Sequence, residues 1–525
     1  MRNRTALTLS LAALALPGLA AAGPVVSTES GSVEGVEAGG KVALRIFRGV
    51  PFAAAPVGDL RWREPQPVIP WTGTRKATEF APRCMQQPLF SDMMFRSPPP
   101  SEDCLYLNVW TPANLASASA ARLPVLVYIY GGGFMAGDGS EKRYDGAALA
   151  ARGIVVVTMN YRLGAFGFFV HPELTAESPH HASGNYGLLD QVAALGWVKH
   201  NIAAFGGDPE RITIGGESAG SMAVSALMAS PLSRGQIAGA IGESGAMMQK
   251  WTPPARADIE TKGAAFARSI GAPTLAALRA MPADTLLDAQ GKTQQMPFDA
   301  VIDGYFLTEP PSVTFANRSA AHVPLLVGSN SQEAPGTAVF GDGAPTVAAY
   351  RAGLTRTLGD KADAIFSLYP AYADADVLPT ATALASDDFL ALPTWKWFDL
   401  QRQSGAPTYY YSYTHVRPRF LADPGSQPGW GALHSAEIEY ALGNLDVNPI
   451  YAWTDADRKV SAVMSAYWAN FIKTGNPNGG GLPAWPKASL DQRKIRRQVI
   501  DVTTRSVPFP EQRRYVAADP ILYMH

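Results

Sequence analysis

The pentapeptide Gly216-Glu217-Ser218-Ala219-Gly220 sets a serine between two glycines, directly after a short apolar strand ending in Ile212 and Ile214. From Ala219 onward the residues are small and apolar and predict a helix. A serine at the apex of such a strand–turn–helix sits on a cramped backbone corner, tolerable only if its flanking residues carry almost no side chain. The corner exposes the Ser218 hydroxyl and aims the first amides of the helix at the same spot. The chemistry this suits is nucleophilic attack on a carbonyl. A Gly/Ser turn with no chemistry has the same five residues, so the pattern needs partners elsewhere in the chain.

A serine hydroxyl is a weak nucleophile until a base takes its proton and a third group orients that base. On a sheet with a strand-to-helix serine the expected chain order is serine, acid, histidine. That leaves His322, His415, His434 and His525. His525 is terminal, and His322 precedes a strand at its wrong end. His415 follows an aromatic strand and competes with His434, which lies in a glycine-bearing loop with carboxylates nearby. For the acid, Glu333 stands just past the carboxyl end of a strand that reaches Gly328; Asp303 is the alternative. Gly131-Gly132-Gly133-Phe134 follows an apolar strand over 124–130 and leaves bare amides for a ligand, although a plain hairpin turn reads the same way.

The elements that must carry these residues alternate. Strands are predicted over 105–110, 124–130, 154–159, 211–214, 237–241, 323–328 and 408–413, and helices over 144–152, 185–205 and 457–474. Leu188, Leu189, Val192, Leu195, Val198 and Ile202 fall near a 3.6-residue period. Strand–helix alternation argues βαβ units and a mainly parallel sheet, with reactive groups at the strands' carboxyl ends. Alternating residues over 24–50 suggest antiparallel strands at a sheet edge. Helical patterns broken by Pro253, Pro254, Pro273 and Pro282 suggest a helical cap over 251–298.

The chain has 525 residues, 47% hydrophobic and 17% charged, which describes a well-cored globular protein. Its net charge of −1 offers no electrostatic case for nucleic acid or an anionic membrane as a partner. Arg2 and Arg4, an apolar run over 6–16 and Ala20-Ala21-Ala22 read as a signal peptide over 1–22, cleaved near Ala22. The run is shorter than the roughly 20 residues a bilayer span needs, so no stable membrane insertion is expected. Residues 23–525 read as one domain, periplasmic or secreted. Cys84 and Cys104 are the two cysteines, and in an oxidising compartment they predict one disulfide, stabilising by about 3 kcal/mol for a loop of that size. The loop between them, with Pro98-Pro99-Pro100, either rims a pocket or only covers the core. No histidine or cysteine lies at ligand spacing around them, so no metal is expected.

Several motifs occur in a fixed order: Val57-Gly-Asp-Leu-Arg-Trp62, Glu102-Asp-Cys-Leu-Tyr-Leu-Asn108, Gly131-Gly-Gly-Phe134, Phe205-Gly-Gly-Asp-Pro209, Gly216-Glu-Ser-Ala-Gly220, Gly431-Ala-Leu-His434 and Thr474-Gly-Asn-Pro-Asn478. From about Gly31 to the C-terminal region the chain resembles the type-B carboxylesterase family of α/β-hydrolases, which includes the cholinesterases. The resemblance implies an α/β-hydrolase fold with a large, mostly parallel sheet and helical insertions over the site. It implies Ser218 as nucleophile, Glu333 as acid and His434 as base, with an oxyanion hole from the amides of Gly132, Gly133 and Ala219. It further implies a Cys84–Cys104 disulfide, an ion pair of Glu102 with Arg61, and a polar network of Ser244 and Glu437 behind the histidine. Glu217 either tunes water and field beside the nucleophile or caps structure.

Departures from the family pattern are Ala334 after the acid and Ser435 after the histidine, where glycine is common, and Tyr130 where histidine is frequent. The disulfide loop has no tryptophan, so the aromatic seat for a quaternary ammonium is missing and choline esters are not expected. The expected activity is hydrolysis of small to medium carboxylic esters through an acyl-enzyme, without a cofactor, in a monomer or weak homo-oligomer. Amidase or lipase activity, or a non-catalytic binding relative on the same fold, are the alternatives.

Overall fold

Short runs of β-branched and aromatic residues that are apolar on both faces are satisfied only inside a sheet covered on both sides. The computed structural model describes residues 23–113, 122–293, 298–422 and 431–523. In chain order the described strands are β1 (Val25–Thr28), β2 (Gly31–Glu34), β3 (Val36–Ala38), β4 (Leu44–Pro51), β5 (Thr74–Lys76), β6 (Tyr106–Pro112) and β7 (Leu123–Ile129). They continue with β8 (Val155–Met159), β9 (Gly207–Glu217), β10 (Gly239–Glu243), β11 (Leu325–Asn330), β12 (Thr408–Tyr413), β13 (Arg496–Ile500) and β14 (Arg505–Pro508).

Eleven of these form one sheet in the order β14-β13-β12-β11-β10-β9-β7-β8-β6-β4-β3. From β8 through β13 every neighbouring pair is parallel, and antiparallel strands finish both edges. The parallel centre is the buried part: Val125, Val127, Ile129, Val155, Val157, Ile212 and Ile214 are fully shielded. The helix Tyr186–Asn201 connects β8 to β9, and Ala219–Ala229 connects β9 to β10. The chain leaves β7 for β8 on one side and then crosses to β9 on the other, so the connections diverge between β7 and β9. In open α/β sheets a crevice opens outside the carboxyl ends of the strands at such a point. The glycine triplet leaves β7 there and Ser218 leaves β9.

Elsewhere the structure departs from the expected boundaries for identifiable reasons. The predicted edge strands over 24–50 divide: β3 and β4 join the large sheet, whereas β1 and β2 pair with β5 in a small separate one. The helix expected over 144–152 shrinks to Ala147–Ala150 after a 3₁₀ turn, Lys142–Tyr144. The helix expected from 457 begins at Asp455, because Asp457 is the third residue of a capping box with Thr454. β13 and β14, rich in arginine, were not anticipated.

Cys84 and Cys104 are disulfide-bonded. Arg61, 5% exposed, grips both carboxylate oxygens of Glu102 at 2.6 Å and donates to the carbonyls of Leu278 and Met281. The ion pair therefore ties the disulfide loop to the helical segment over 251–298. Among the described residues no helix is long and apolar enough to cross a membrane. The predicted signal peptide and His525 lie outside the described residues.

Candidate active site

Ser218 occupies the corner between β9 and the helix Ala219–Ala229 with φ 56° and ψ −123°. Its glycine flanks have a steric cause: a Cβ on Gly220 would stand 2.1 Å from the Ile129 carbonyl oxygen, and one on Gly216 2.6 Å from the same atom. The Ser218 amide donates to the Glu243 carbonyl at 2.8 Å, which anchors the corner on β10.

Three side chains from distant parts of the chain form one relay. The Ser218 Oγ lies 3.0 Å from His434 Nε2, and His434 Nδ1 lies 2.8 Å from Glu333 Oε2. The other Glu333 oxygen accepts from the Ser244 hydroxyl and the Asn330 amide, both at 2.6 Å. Hydrogen bonds of this kind orient a carboxylate. Asn330, at the end of β11, also donates through its side chain to the Leu433 carbonyl at 2.8 Å and to Glu437. It thus joins the strand that carries Glu333 to the loop that carries His434. Sequence reasoning passed over Asn330; its only signal was the polar turn that follows an apolar strand.

The competing candidates are engaged elsewhere. His415 faces Asp457 at 2.7 Å and Asp501 at 3.5 Å, which ties β12 to the helix Asp455–Thr474. His322 lies 3.2 Å from the Ser404 hydroxyl. Asp303 accepts from the amides of Tyr305 and Leu307.

Ser435 takes φ 63°, the left-handed conformation that glycine adopts freely. Its carbonyl accepts from Arg417, and its hydroxyl lies 3.4 Å from Arg143, so contacts of the serine itself offset the backbone cost. Tyr130 stacks on Tyr161 at 4.4 Å, and the Tyr161 hydroxyl donates to the Tyr130 carbonyl at 2.9 Å. That pair braces the chain where it enters the glycine loop.

The glycine loop runs hard against the serine: a Cβ on Gly131 would stand 3.0 Å from Ser218 Cβ. Gly132 and Gly133 have φ 109° and 64°. Among the described residues the amides of Gly132, Gly133 and Ala219 donate to no other group. Three unspent amides beside a nucleophile can receive a developing oxyanion. Met93 of the disulfide loop lies within 3.1 Å of a Cβ position on Gly132, and the Gln86 amide exchanges two hydrogen bonds with Gly137. The disulfide loop is a rim of this site, not merely a cover for the core.

Beneath the relay lie buried carboxyls. Glu217 Oε1 is 3.3 Å from His434 Nε2 but makes no hydrogen bond. Burial pushes Glu217 up. Burial pulls His434 down, but the Glu217 charge and the Glu333 hydrogen bond outweigh it and raise the imidazole. Glu437 and Glu243 are likewise pushed up, by burial first and then by neighbouring carboxylates. Like charges this close cannot all ionise in a dry interior. Glu243 is a member of this group that no sequence pattern distinguished. Among the described residues no cluster of histidine, cysteine, aspartate and glutamate is arranged to hold a metal ion.

The chain is 38% identical over 483 residues to the fumonisin B1 esterase of Sphingopyxis macrogoltabida, covering 88% of this chain and 84% of the relative. It is 34% identical over 521 residues to carboxylesterase 5A of Canis lupus familiaris, covering 92% and 87% respectively. A solved structure of PNB esterase superposes with a TM-score of 0.79 at 32% identity, over 95% of this chain and 99% of that one. The sheet, with its helices on both faces, is accordingly that of an α/β-hydrolase. The sequence profile of the carboxylesterase family matches residues 22–514, and the chain belongs to that family.

Proposed function

We propose that this carboxylesterase hydrolyses its esters through an acyl-enzyme on Ser218. His434 Nε2 takes the Ser218 proton as Oγ bonds to the acyl carbon, and Glu333 steadies the imidazolium that results. The carbonyl oxygen, now anionic, is held by the amides of Gly132, Gly133 and Ala219. Collapse expels the alcohol, whose oxygen receives the proton from His434. A water then gives a proton to His434 and attacks the acyl carbon, and collapse returns that proton to Ser218 and releases the acid. Ser244 and Asn330 hold Glu333, while Glu217 and Glu437 set the charge around the imidazole.

The observation that carries this reading is the continuous relay from Ser218 Oγ through both nitrogens of His434 to Glu333, at 3.0 and 2.8 Å. It argues against a non-catalytic relative, which has no use for it. Small to medium esters are the proposed substrates, and amides or lipid aggregates the less favoured ones. We also propose that residues 1–22 direct the chain out of the cytoplasm and that it acts as a monomer or weak homo-oligomer. Ser218→Ala should abolish p-nitrophenyl acetate turnover while leaving the circular dichroism and melting temperature unchanged. Retained turnover would assign the chemistry to another nucleophile.

A further inference from the structure

His434 is followed by a serine, and Ser435 takes φ 63°. A residue with a Cβ enters that left-handed conformation at a cost that glycine is spared. The conformation matters at this position because Ser435 is the next residue after the proposed base, and its backbone angles set how the loop presents the imidazole. Two side chains hold the carbonyls on either side of His434. Asn330 donates to the Leu433 carbonyl at 2.8 Å, and Arg417 donates to the Ser435 carbonyl at 2.5 Å.

Arg417 lies in the segment after β12, and its guanidinium is fixed by more than the carbonyl. The nitrogen that reaches Ser435 also lies 3.2 Å from Glu439 Oε2. Glu439 is fully buried on the helix Ile438–Leu442, and its other oxygen accepts from the Asn448 amide at 2.7 Å. The second terminal nitrogen of Arg417 donates to the Tyr451 hydroxyl at 2.5 Å, and the guanidinium carbon stands 4.7 Å from the centre of that ring. A planar guanidinium serves such acceptors in fixed directions, whereas a lysine ammonium is a point charge on a flexible stem. Among the described residues Arg417 makes no hydrogen bond to Ser218, His434 or Glu333, so its effect on the reaction passes through the loop.

We infer that Arg417 is a positioning residue for the base. It holds Ser435 in the left-handed conformation and thereby keeps His434 Nε2 within reach of Ser218, a task that Ser435→Gly would make unnecessary. The inference rests on the assignment of Ser218 as nucleophile and His434 as base. The test measures kcat and KM for p-nitrophenyl acetate, together with melting temperatures, in the parent, Arg417→Lys, Ser435→Gly and the double variant.

Arg417→Lys keeps a positive charge beside Glu439 and gives up the fork. It should lower kcat by about fivefold or more, the factor by which a Cβ disfavours the left-handed conformation, with KM within twofold of the parent. Ser435→Gly alone should stay within twofold of the parent, and its addition to Arg417→Lys should return kcat to within twofold. A role confined to stability would lower the melting temperature and give no such rescue. A loss below twofold in Arg417→Lys, or a loss of equal size when Ser435→Gly is also present, overturns the inference. If Arg417→Lys does not fold, Tyr451→Phe, which removes one acceptor of the same guanidinium, takes its place; no loss there, or a loss that Ser435→Gly does not relieve, overturns the inference. Fluorophosphonate labelling of the parent separates the two levels. No adduct on Ser218 overturns the nucleophile assignment and the inference with it, whereas a labelled Ser218 with an unrelieved loss overturns the role of Arg417 alone.

Discussion

Replacing Gly220 by alanine puts a numerical strain on the corner that carries Ser218. The added Cβ would lie 2.1 Å from the Ile129 carbonyl oxygen and 2.9 Å from that of Tyr130, both backbone atoms that cannot rotate away. Ordinary contact begins at 3.4 Å, so the first gap must open by about 1.3 Å. The gap can open only if the start of the helix Ala219–Ala229 moves away from the end of β7. The first carries Ser218 and the Ala219 amide, and the second carries the amides of Gly132 and Gly133, so relief moves the proposed nucleophile away from two of its three proposed oxyanion donors. A displacement of about 1 Å in a catalytic constellation costs about 100-fold in rate, and the overpacking costs about 1–3 kcal/mol of stability. The assay is kcat/KM on p-nitrophenyl acetate together with a melting curve. Gly196→Ala is the control, since a Cβ there meets nothing within 4 Å in the middle of the helix Tyr186–Asn201. It should leave activity alone and add up to about 1 kcal/mol of stability. A Gly220→Ala enzyme with activity within threefold of the parent would refute the steric reasoning and the convergence it assumes.

Two further changes probe the surroundings. The Glu217 carboxylate raises His434, and the base works only when neutral, so activity climbs as pH rises through the imidazole's titration. Glu217→Gln removes that charge, and the acid limb of the kcat/KM profile should move to lower pH by about one unit, the small end of what a nearby opposite charge produces. A limb that stays put or moves upward would show that the Glu217 charge does not raise His434. Arg61→Ala leaves Glu102 largely buried without its partner and frees two carbonyls of the helical segment, for which about 3–5 kcal/mol of destabilisation is expected by chemical denaturation; a loss below 1 kcal/mol would make the pair incidental.

Local pattern reached the parts of this molecule that depend on near neighbours in the chain. The serine corner, the glycine triplet and the parallel strands were legible because their causes lie within a few residues: small flanks, bare amides, continuous β-branched runs. Pattern favoured His434 over His415, for its glycine-bearing loop with carboxylates nearby, but did not decide between them. Only the fold puts Asp457 and Asp501 around His415, and Glu333 and Ser218 around His434. The family resemblance implied His434, and the proposed base rests on the distances from it to Ser218 and Glu333.

Asn330 and Arg417 escaped for a related cause. One links β11 to a loop about a hundred residues later, and the other reaches the Ser435 carbonyl from the segment after β12, so neither contact has a period or motif. β13 and β14 were missed because Arg496, Arg497 and Arg505 mask short edge strands whose partners come from elsewhere in the sheet. Ser435 shows a subtler gap. A serine in place of a common glycine suggested altered backbone angles, yet Arg417 and Arg143 hold the left-handed conformation there.

Covalent labelling bears most directly on the central assignment. Incubation with a fluorophosphonate, followed by proteolysis and mass spectrometry, should place one adduct on the peptide containing Ser218. Labelling should slow severalfold or more in His434→Ala and proceed at the parental rate in His415→Ala. An adduct on another residue, or labelling that depends on His415 and not on His434, would contradict the account.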